Sequence, residues 1–439
     1  MKLENKIWDK SECLSRDEIE NIQVLRLRET VKRVQNVPFY AKKLKELGIG
    51  PEDIKSVADV KHLPFTTKTD MRENYPLGLM AVPKEKVLRF HGSSGTTGKP
   101  TFVAYTKNDL EMWSDMVARF LYAGGARPGN TAQISFGYGL FTGGFGLHYG
   151  LEKIGSSIIP AASGNTRRQF TLLQDLQPEL LVCTPTYALR LIEYMEDEKI
   201  PRESLNLKVA FLGSEPWTEE MRLYIEEKLQ VNTCNNYGLS EVIGPGISGE
   251  CVYHTGMHIQ EDYFLVECLD PETLEPVPDG QLGELVITAL NKEAMPMIRY
   301  RTRDLAYLIK EDSPCPCGRT TKRMSRIKGR SDDMVIIRGV NVFPSQVEEA
   351  LLQCKDVTPN FLIVLDRPGS LDRSVVKVEM SPAFFSDKMS EMQMLKSNLE
   401  ETIRSYTGIH FEVDLVQPQS IERFTGKAAR VVDNRPKEN

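Results

Sequence analysis

The chain has 439 residues, of which 41% are hydrophobic, 26% charged and 8% aromatic. This composition is typical of a folded globular protein of more than one domain and excludes collagen-like, disordered and disulfide-scaffold classes. The formal net charge of −6 gives no overall basic surplus for binding nucleic acid or an anionic membrane. The charged N-terminus is unlike a secretory signal, and no apolar stretch of about 18 residues follows it. We therefore expect a cytoplasmic protein with neither a nucleic-acid nor a membrane partner.

The first 250 residues show the pattern of an α/β domain. A helical region with breakers is predicted over the first 80 residues, and an amphipathic helix over 107–123, where Gly124 supplies a stop. Short apolar runs then alternate with helical stretches such as 166–176 and 217–229. This alternation indicates a largely parallel sheet that is covered by helices.

Beyond residue 250 the pattern changes to strands separated by turns, which predicts a smaller β-rich subdomain beside the α/β core. A last unit begins near residue 328, and its helix is predicted to open at Ser345, three residues before Glu348, in the spacing of a capping box. Two strands, a helix and a further strand follow. We assign residues 1–331 to a large N-terminal domain and residues 332–439 to a small, mobile α+β C-terminal domain.

The strongest local signal is the segment HGSSGTTGKP at 91–100. Its glycines allow the backbone to approach a ligand closely, its hydroxyls can donate to phosphate oxygens, and Lys99 adds positive charge. The spacing excludes the phosphate loop of P-loop NTPases, because five residues separate Gly92 from Gly98 and Pro100 follows the lysine. For this segment alone, a flexible Ser/Gly turn stays an alternative.

The segment resembles instead the phosphate loop of the adenylate-forming (acyl-activating, AMP-binding) enzyme superfamily. Four further segments resemble motifs of that family and follow in the family's order: NNYGLSE at 235–241, YRTRD at 300–304, GRSDD at 329–333 and FTGKAAR at 424–430. Longer strings are most similar to the phenylacetate–CoA ligase branch, namely 135–150, 213–217 and 329–348. The resemblance covers nearly the whole chain and implies a large adenylation domain followed by a mobile C-terminal domain.

The resemblance implies an ATP-dependent acid–CoA ligase. A carboxylate attacks the α-phosphate of ATP to give acyl-AMP and pyrophosphate, and CoA then displaces AMP to give the acyl-CoA thioester. Because two anions meet in the first step, the site has to supply positive charge and fixed donors. Two other interpretations stay open: an adenylating enzyme that loads an aryl acid onto a carrier-protein thiol, and a nucleotide-binding protein without turnover. The resemblance also implies a homodimer.

The resemblance assigns the catalytic roles to Lys427, to Glu241 as the ligand of Mg²⁺, and to Thr97. It implies that the C-terminal domain rotates about Asp332 between the two steps. The implied nucleotide-binding residues are Ser93, Ser94, Gly95, Thr96, Thr97, Gly98, Lys99, Gly213, Ser214, Glu215, Pro216, Asn236, Tyr237, Gly238, Ser240, Asp304 and Arg330.

Within this set the resemblance places Tyr237 against the adenine, Ser240 near the phosphate, and Asp304 where it accepts hydrogen bonds from the ribose hydroxyls. A carboxylate such as that of Glu241 is the type of oxygen ligand that Mg²⁺ requires. The family more often has Gly where Arg303 stands, a departure that we expect to alter the local turn.

The acid substrate is expected along the Gly-rich aromatic segment 135–150, where aromatic side chains would form a flat apolar slot for an aryl ring. Core packing of the same aromatics is the alternative. The candidate substrate-binding residues are Tyr138, Phe141 and Gly143, together with Phe145, and by resemblance Ser214 and Pro245. No arginine or lysine is evidently reserved for a second substrate charge, which favours a monocarboxylic arylacetate. Phenylacetate ranks first, while indole-, hydroxyphenyl- and short-chain acids stay open.

The stretch 319–330 is locally basic and is a candidate binding site for the phosphates of CoA. Within it, Arg326 is the candidate CoA-binding residue. A solvated basic face is the alternative. By resemblance, the segment around Gly339 would reach the pantetheine channel after domain rotation, and a glycine suits such a close approach.

The cysteines form a separate constellation. The eight cysteines are too few for a disulfide framework in a chain of this length. Cys251 and His258, with the close pair Cys315 and Cys317, make a Cys₃His set, which is typical of a tetrahedral structural zinc site. His254 is an alternative ligand, and free thiols or a redox pair stay open. We expect such a zinc to hold the fold together.

Overall fold

The computed structural model describes residues 6–92, 101–310, 312, 314–331, 335–337, 340–367, 373–381, 384, 389–422 and 430–435. The chain forms two compact units, the first made of Met1–Ser214 with Glu226–Arg326 and the second of Glu215–Ile225 with Ile327–Asn439. The domain boundary between residues 331 and 332 stays a prediction. Within the described ranges, no helix has both the length and the apolar character needed to cross a membrane.

The helices are α1 (Arg16–Val34), α2 (Pro38–Leu47), α3 (Lys68–Glu73), α4 (Lys107–Ala123), α5 (Gly143–Ile154), α6 (Thr166–Leu176), α7 (Pro185–Asp197), α8 (Glu219–Leu229), α9 (Pro344–Leu352) and α10 (Met389–Thr407). The strands of the first unit are β1 (Arg89–Gly92), β2 (Phe102–Tyr105), β3 (Thr131–Ile134), β4 (Ser157–Ile159), β5 (Leu180–Cys183), β6 (Val209–Gly213), β7 (Asn232–Leu239), β8 (Gly244–Glu250), β9 (Met257–Ile259), β10 (Phe264–Leu269), β11 (Gly283–Ala289), β12 (Tyr300–Ala306) and β13 (Arg323–Met324). The strands of the second unit are β14 (Gly329–Arg330), β15 (Val335–Ile337), β16 (Val340–Val342), β17 (Val357–Asp366), β18 (Arg373–Met380), β19 (Glu412–Val416) and β20 (Val431–Asp433).

An eight-stranded sheet forms the centre of the first unit, in the order β13-β9-β8-β7-β6-β5-β3-β4. The strands from β4 to β7 in this order pair in parallel, whereas β7, β8, β9 and β13 pair antiparallel. Every residue of β5 and β6 is buried, as expected of parallel strands that are covered on both faces. The predicted α/β architecture is therefore confirmed, and the predicted helices over 107–123 and 166–176 match α4 and α6.

The predicted β-rich subdomain follows the central sheet. Strands β10, β11 and β12 pair antiparallel, and β12 brings the YRTRD motif into the first unit. Near the start of this unit, β1 and β2 form an antiparallel hairpin. The predicted phosphate loop connects these two strands in sequence, and its residues 93–100 lie outside the described part of the chain.

Helix α4 begins at a reciprocal cap. Thr106 Oγ1 accepts a hydrogen bond from the Asp109 N–H at 3.1 Å, and the Asp109 carboxylate accepts one from the Thr106 N–H at 2.9 Å. This pair satisfies two N–H groups that the first turn of a helix otherwise leaves free. Gly124 ends the helix, as the sequence predicts.

The second unit is an α+β structure, as predicted. A four-stranded sheet in the order β19-β18-β17-β20 contributes to a hydrophobic core together with α9 and α10. The prediction that α9 opens with Ser345 as its cap is wrong. The helix begins at Pro344, the Gln346 side chain accepts the Phe343 N–H at 2.9 Å, and Ser345 Oγ donates instead to the Lys328 carbonyl at 2.9 Å. Proline fits the first helical position because its missing N–H would have no partner there.

Helices α4 and α5 pack so closely that glycine is needed at their contact. A Cβ on Gly150 would lie 2.4 Å from Val117 Cγ1. We expect Gly150→Ala to lower the free energy of unfolding by about 1–3 kcal/mol, the usual cost of overpacking a core. Urea denaturation measures this change in the free energy of unfolding.

Gly143→Ala is the matched control, because its Cβ would lie 3.8 Å from its nearest neighbour, Phe136 Cδ1, which is ordinary contact distance. Its stability should equal that of the unsubstituted chain or exceed it slightly. Equal stabilities for Gly150→Ala and Gly143→Ala would contradict the close packing.

Candidate active site

The carboxyl end of β7 lies so close to its neighbours β6 and β8 that side chains would not fit at the contacts. A Cβ on Gly213 would lie 2.7 Å from the Asn236 carbonyl oxygen, and one on Gly238 only 1.9 Å from the Gly244 carbonyl oxygen. Ser214, which follows β6, has a φ of 73°, a strained value for a residue other than glycine. Ligands of open α/β sheets bind at this edge, so the geometry marks the edge as a candidate site.

Two predicted nucleotide-binding residues meet at this edge. Tyr237 in β7 donates its hydroxyl hydrogen to Asp304 Oδ2 in β12 at 2.7 Å, and both side chains are largely buried. The neighbouring Asn236 donates from Nδ2 to the Leu212 carbonyl at 2.9 Å. The hydrogen bond fixes the position of the Asp304 carboxylate beside β7.

Arg303 adopts the left-handed conformation that favours glycine, with a φ of 66°. Its N–H donates to Glu284 Oε1 at 3.3 Å, and its guanidinium lies 3.6 Å from Glu284 Oε2. Arg301 also binds the Glu284 carboxylate, at 2.6 Å. The turn therefore holds an arginine in a backbone conformation suited to glycine, and the buried Glu284 anchors it.

The turn between β7 and β8 carries Glu241, the predicted magnesium ligand. Glu241 is buried, with 8% of its surface exposed. Lys68 Nζ lies 3.4 Å from Glu241 Oε1. Ser240 Oγ lies 2.9 Å from Thr142 Oγ1, just before α5. Sequence reasoning missed Lys68, because a lysine at the start of a short helix carries no signal of a partner about 170 residues away.

The aromatic segment divides into a packed part and an exposed part. Tyr138, Phe145, His148 and Tyr149, which we name the aromatic cluster, contact one another ring to ring, with Tyr138 and Phe145 edge to face at 5.4 Å. Phe141, a predicted substrate-binding residue, is 49% exposed and belongs to none of these ring pairs. Burial raises the pKa of the Tyr138 hydroxyl above its usual value.

An arginine accompanies this cluster. The Arg89 guanidinium lies over the Tyr149 ring at 4.8 Å and over the Phe145 ring at 5.3 Å, and it donates to the Tyr149 hydroxyl at 3.2 Å. The negative faces of the two rings attract the guanidinium cation and stabilise it there. Sequence reasoning found no arginine near the slot, since Arg89 lies in the strand β1, far from the segment in sequence.

Helix α5 also brings the other predicted substrate residues near the edge. A Cβ on Gly143 would lie 3.9 Å from Ser214 Oγ, and a Cβ on Gly146 would lie 2.8 Å from Pro245 Cγ. Ser214, Pro245 and the first turns of α5 are therefore neighbours. The close contact at Gly146 leaves no room for a side chain, whereas a Cβ at Gly143 would meet its neighbours at ordinary contact distance.

Several predicted residues are not placed at this edge by the structure. Glu215, Pro216 and Arg330 belong to the second unit, and Arg326 is the last residue of the first. Outside the described residues lie Ser93, Ser94, Gly95, Thr96, Thr97, Gly98, Lys99, Asp332, Gly339 and Lys427. Their roles stay predictions.

A second constellation lies away from this edge. The ligand atoms of Cys251, His258, Cys315 and Cys317 all lie within 4.8 Å of one another, and the four residues are buried. Cys251 Sγ is 3.5 Å from Cys315 Sγ, and Cys317 Sγ is 3.3 Å from His258 Nε2. The alternative ligand His254 is not part of this group.

The surroundings of the four residues stabilise negative sulfur. Thr255 Oγ1 donates to Cys315 Sγ at 3.0 Å, and the Arg319 N–H donates to Cys317 Sγ at 3.4 Å. Hydrogen bonds from Cys251 hold the pKa of the Cys315 thiol below its usual value. The Arg319 guanidinium in turn pairs with Glu12 at 2.5 Å, so the constellation is joined to the N-terminal segment.

Comparison with known proteins defines the class. Residues 34–291 match the sequence model of the AMP-binding enzyme family, and residues 339–435 match that of the AMP-binding enzyme C-terminal domain. The chain therefore belongs to the AMP-binding enzyme family, and the predicted family is confirmed. It is an AMP-forming acid–CoA ligase.

The most informative relatives lie in one branch of that family. The chain is 48% identical to the phenylacetate-coenzyme A ligase of Thermus thermophilus, over 97% of this chain and 98% of the relative. It is 45% identical to the phenylacetate-coenzyme A ligase of Escherichia coli, over 97% of both chains. Among solved structures, a 2-hydroxyisobutyryl-CoA ligase in the postadenylation state superposes with a TM-score of 0.91 at 28% identity, covering 97% of this chain and 91% of that one.

The hydrogen bond between Tyr237 and Asp304 gives a test of the nucleotide site. We expect Tyr237→Phe to raise the KM for ATP about threefold to tenfold, because the carboxylate loses a hydrogen bond worth about 0.5–1.5 kcal/mol. The KM for the acid should stay unchanged in steady-state assays of AMP formation.

Tyr40→Phe is the control, since it removes another buried tyrosine hydroxyl, which lies 2.9 Å from Thr66 Oγ1. Its KM for ATP should equal that of the unsubstituted enzyme. An unchanged KM for ATP in Tyr237→Phe would contradict the assignment of this edge to the nucleotide.

Proposed function

We propose that the enzyme is a phenylacetate–CoA ligase, which converts phenylacetate or a close arylacetate first to its acyl adenylate and then to its CoA thioester. The observation that carries the proposal is the 44–48% identity, over nearly the whole chain, to four phenylacetate-coenzyme A ligases. The aromatic cluster beside the edge supports it, because stacked and edge-to-face rings suit the binding of a further ring.

The chemistry of the first step requires compensation of negative charge. The substrate carboxylate and the triphosphate repel each other, so their approach needs positive charge and fixed donors. We assign Mg²⁺ to the Glu241 carboxylate, where its charge would compensate the phosphates. Lys68 lies 3.4 Å from the same carboxylate and supplies a second positive charge at this edge.

The remaining roles of the adenylation step rest on the resemblance. Lys427 would place its ammonium on the reacting carboxylate and phosphate, and Thr97 with its neighbours would donate to the phosphates. Tyr237 would lie against the adenine, and Asp304 would accept hydrogen bonds from the ribose hydroxyls. The fixed position of the Asp304 carboxylate, which accepts from Tyr237 at 2.7 Å, supports this last role.

The thioester-forming step is assigned to the C-terminal domain, which would rotate about Asp332 and bring Gly339 to the pantetheine chain. Arg326 would bind a CoA phosphate. Action as a homodimer and location in the cytoplasm also stay predictions, the first from the resemblance and the second from the sequence.

The test is the release of pyrophosphate and AMP with ATP and Mg²⁺ across a series of acids, with and without CoA. We expect the highest kcat/KM with phenylacetate, lower values with benzoate and 3-phenylpropionate, and CoA-dependent thioester formation. Preference for a short aliphatic acid would contradict the aryl substrate. Adenylate formation that CoA does not resolve would assign the acceptor thiol to a carrier protein.

We further propose that Cys251, His258, Cys315 and Cys317 bind a structural zinc ion. With Zn–S distances of about 2.3 Å, a tetrahedral site holds its ligand atoms roughly 3.5–3.8 Å apart. The separations of 3.5 Å between two sulfurs and 3.3 Å between sulfur and nitrogen are close to these values. Thr321 Oγ1 lies 3.4 Å from His258 Nδ1 and is placed to orient the ring.

Zinc content tests this site. Protein purified without added metal should contain about one zinc per chain by elemental analysis, and Cys317→Ser should lose most of it together with thermal stability. Cys268→Ser is the control, because Cys268 is also buried but lies outside the four-residue group. Equal zinc content in the two variants would contradict the proposal.

A further inference from the structure

A lysine is fully buried behind the turn that carries Glu241. Lys292, which follows β11, is 1% exposed, and its ammonium donates to the Val242 carbonyl at 2.6 Å. The same ammonium lies 4.4 Å from the centre of the Tyr105 ring. Burial lowers the pKa of Lys292 to about 8, with Asp109 acting in the opposite direction. Because burial of a charge costs free energy, a buried lysine at this position indicates a specific function.

Three buried donors hold carbonyls of this turn and of the start of β8. Lys292 binds that of Val242, and Tyr105 donates its hydroxyl hydrogen to the Ile243 carbonyl at 2.8 Å. The third donor is Trp113 Nε1, which binds the Pro245 carbonyl at 2.8 Å. The Tyr105 and Trp113 rings are stacked at 5.3 Å, so the three donors form one rigid group beneath the chain that follows Glu241.

The lysine is itself held in place from α4. Both oxygens of the Asp109 carboxylate accept backbone N–H groups next to Lys292, from Glu293 at 2.6 Å and from Ala294 at 3.0 Å. Thr106, the cap of α4, donates to the Glu293 carboxylate at 2.8 Å. The start of α4 therefore fixes the backbone that carries Lys292.

The other side of the turn is fixed as well. The N–H groups of Val242 and Ile243 donate to the Leu239 carbonyl at 3.2 and 3.1 Å, and Ser240 contacts Thr142. Glu241 thus sits between two anchored segments, and the Val242 carbonyl is the first anchor after it. A charged donor binds that carbonyl more strongly than a neutral one would.

We propose that Lys292 is a positioning residue for the adenylation step, which holds the peptide after Glu241 so that the Glu241 carboxylate meets Mg²⁺ in its productive position. The inference rests on the proposed function, because it requires Glu241 to bind Mg²⁺ with ATP. A site of this kind has to be held within about 0.5 Å to work well. Lys292 touches neither reactant and acts through the turn.

Removal of Lys292 has different consequences for a structural role and for a positioning role. Loss of a structural contact lowers stability and affects both half-reactions alike. Loss of the positioning contact weakens the use of Mg²⁺ in adenylation, and excess Mg²⁺ partly restores the rate. Formation of the thioester from supplied phenylacetyl-AMP and CoA does not need the metal-bound triphosphate and stays unaffected.

The experiment compares Lys292→Met with the unsubstituted enzyme in Mg²⁺ titrations of pyrophosphate release, using phenylacetate and saturating ATP. We expect the half-saturating Mg²⁺ concentration to rise about tenfold, as for loss of a charge-assisted hydrogen bond, with thioester formation from phenylacetyl-AMP within about twofold of normal. Gln23→Leu is the matched control, because it also removes a buried donor to a backbone carbonyl, that of Glu261 at 2.9 Å. Its Mg²⁺ titration should be unchanged.

Glu241→Gln, measured in parallel, separates the inference from the proposed function. If Glu241→Gln shifts the Mg²⁺ titration and Lys292→Met does not, the role of Lys292 is rejected while the metal role of Glu241 stands. If Glu241→Gln leaves the titration unchanged, the metal role of Glu241 is rejected, and the inference falls with it.

Tyr105→Phe keeps the test decisive should Lys292→Met not fold. It removes only the hydroxyl that binds Ile243 and retains the ring under the ammonium. A rise of about threefold in the half-saturating Mg²⁺ concentration, from the loss of one neutral hydrogen bond, supports the anchored turn. An unchanged titration overturns it.

Discussion

The contact between Gly238 and Gly244 is the constraint on which the active-site edge depends. Because β7 and β8 pair here without room for a Cβ, the chain between them forms a short turn with Glu241 in it. Beside this contact, Tyr237 donates to Asp304 and the Pro245 carbonyl accepts from Trp113. A side chain at Gly238 would separate all of these groups at once, whereas most other single changes would affect one of them.

Charge is distributed around this turn in a way that suits a reaction between anions. The Glu241 carboxylate faces Lys68 on one side, and the backbone that follows it rests on the Lys292 ammonium. Farther along, the buried Glu284 carboxylate holds Arg301 and Arg303 beside Asp304. Positive groups are thus fixed by protein contacts before any ligand arrives, which avoids reorganisation during the reaction.

The sequence predicted the architecture well, because apolar runs of the length and composition of β5 and β6 occur where both faces of a sheet are covered. It also pointed to Tyr237 and Asp304, which lie in separate motifs and meet at 2.7 Å in the structure. The sequence could not predict that Phe141 is exposed while Tyr138 and Phe145 pack together. The pattern of an aromatic segment does not indicate which of its rings pack and which are exposed.

The residues that the sequence did not reveal share one property: their partners are distant in sequence. Lys68, Arg89 and Lys292 each act on a segment far away along the chain, and only the tertiary fold brings them there. Ser345 failed as a predicted cap for a local reason, because Pro344 occupies the first helical position and Gln346 satisfies the preceding N–H.

The central claim is that this edge activates an arylacetate by forming an acyl adenylate. The most direct measurement is exchange of labelled pyrophosphate into ATP with phenylacetate and Mg²⁺ in the absence of CoA. The account predicts exchange that depends on phenylacetate and needs no CoA, because the adenylate forms reversibly before the thiol reacts. Exchange that requires CoA, or formation of ADP and phosphate in place of AMP and pyrophosphate, would contradict it.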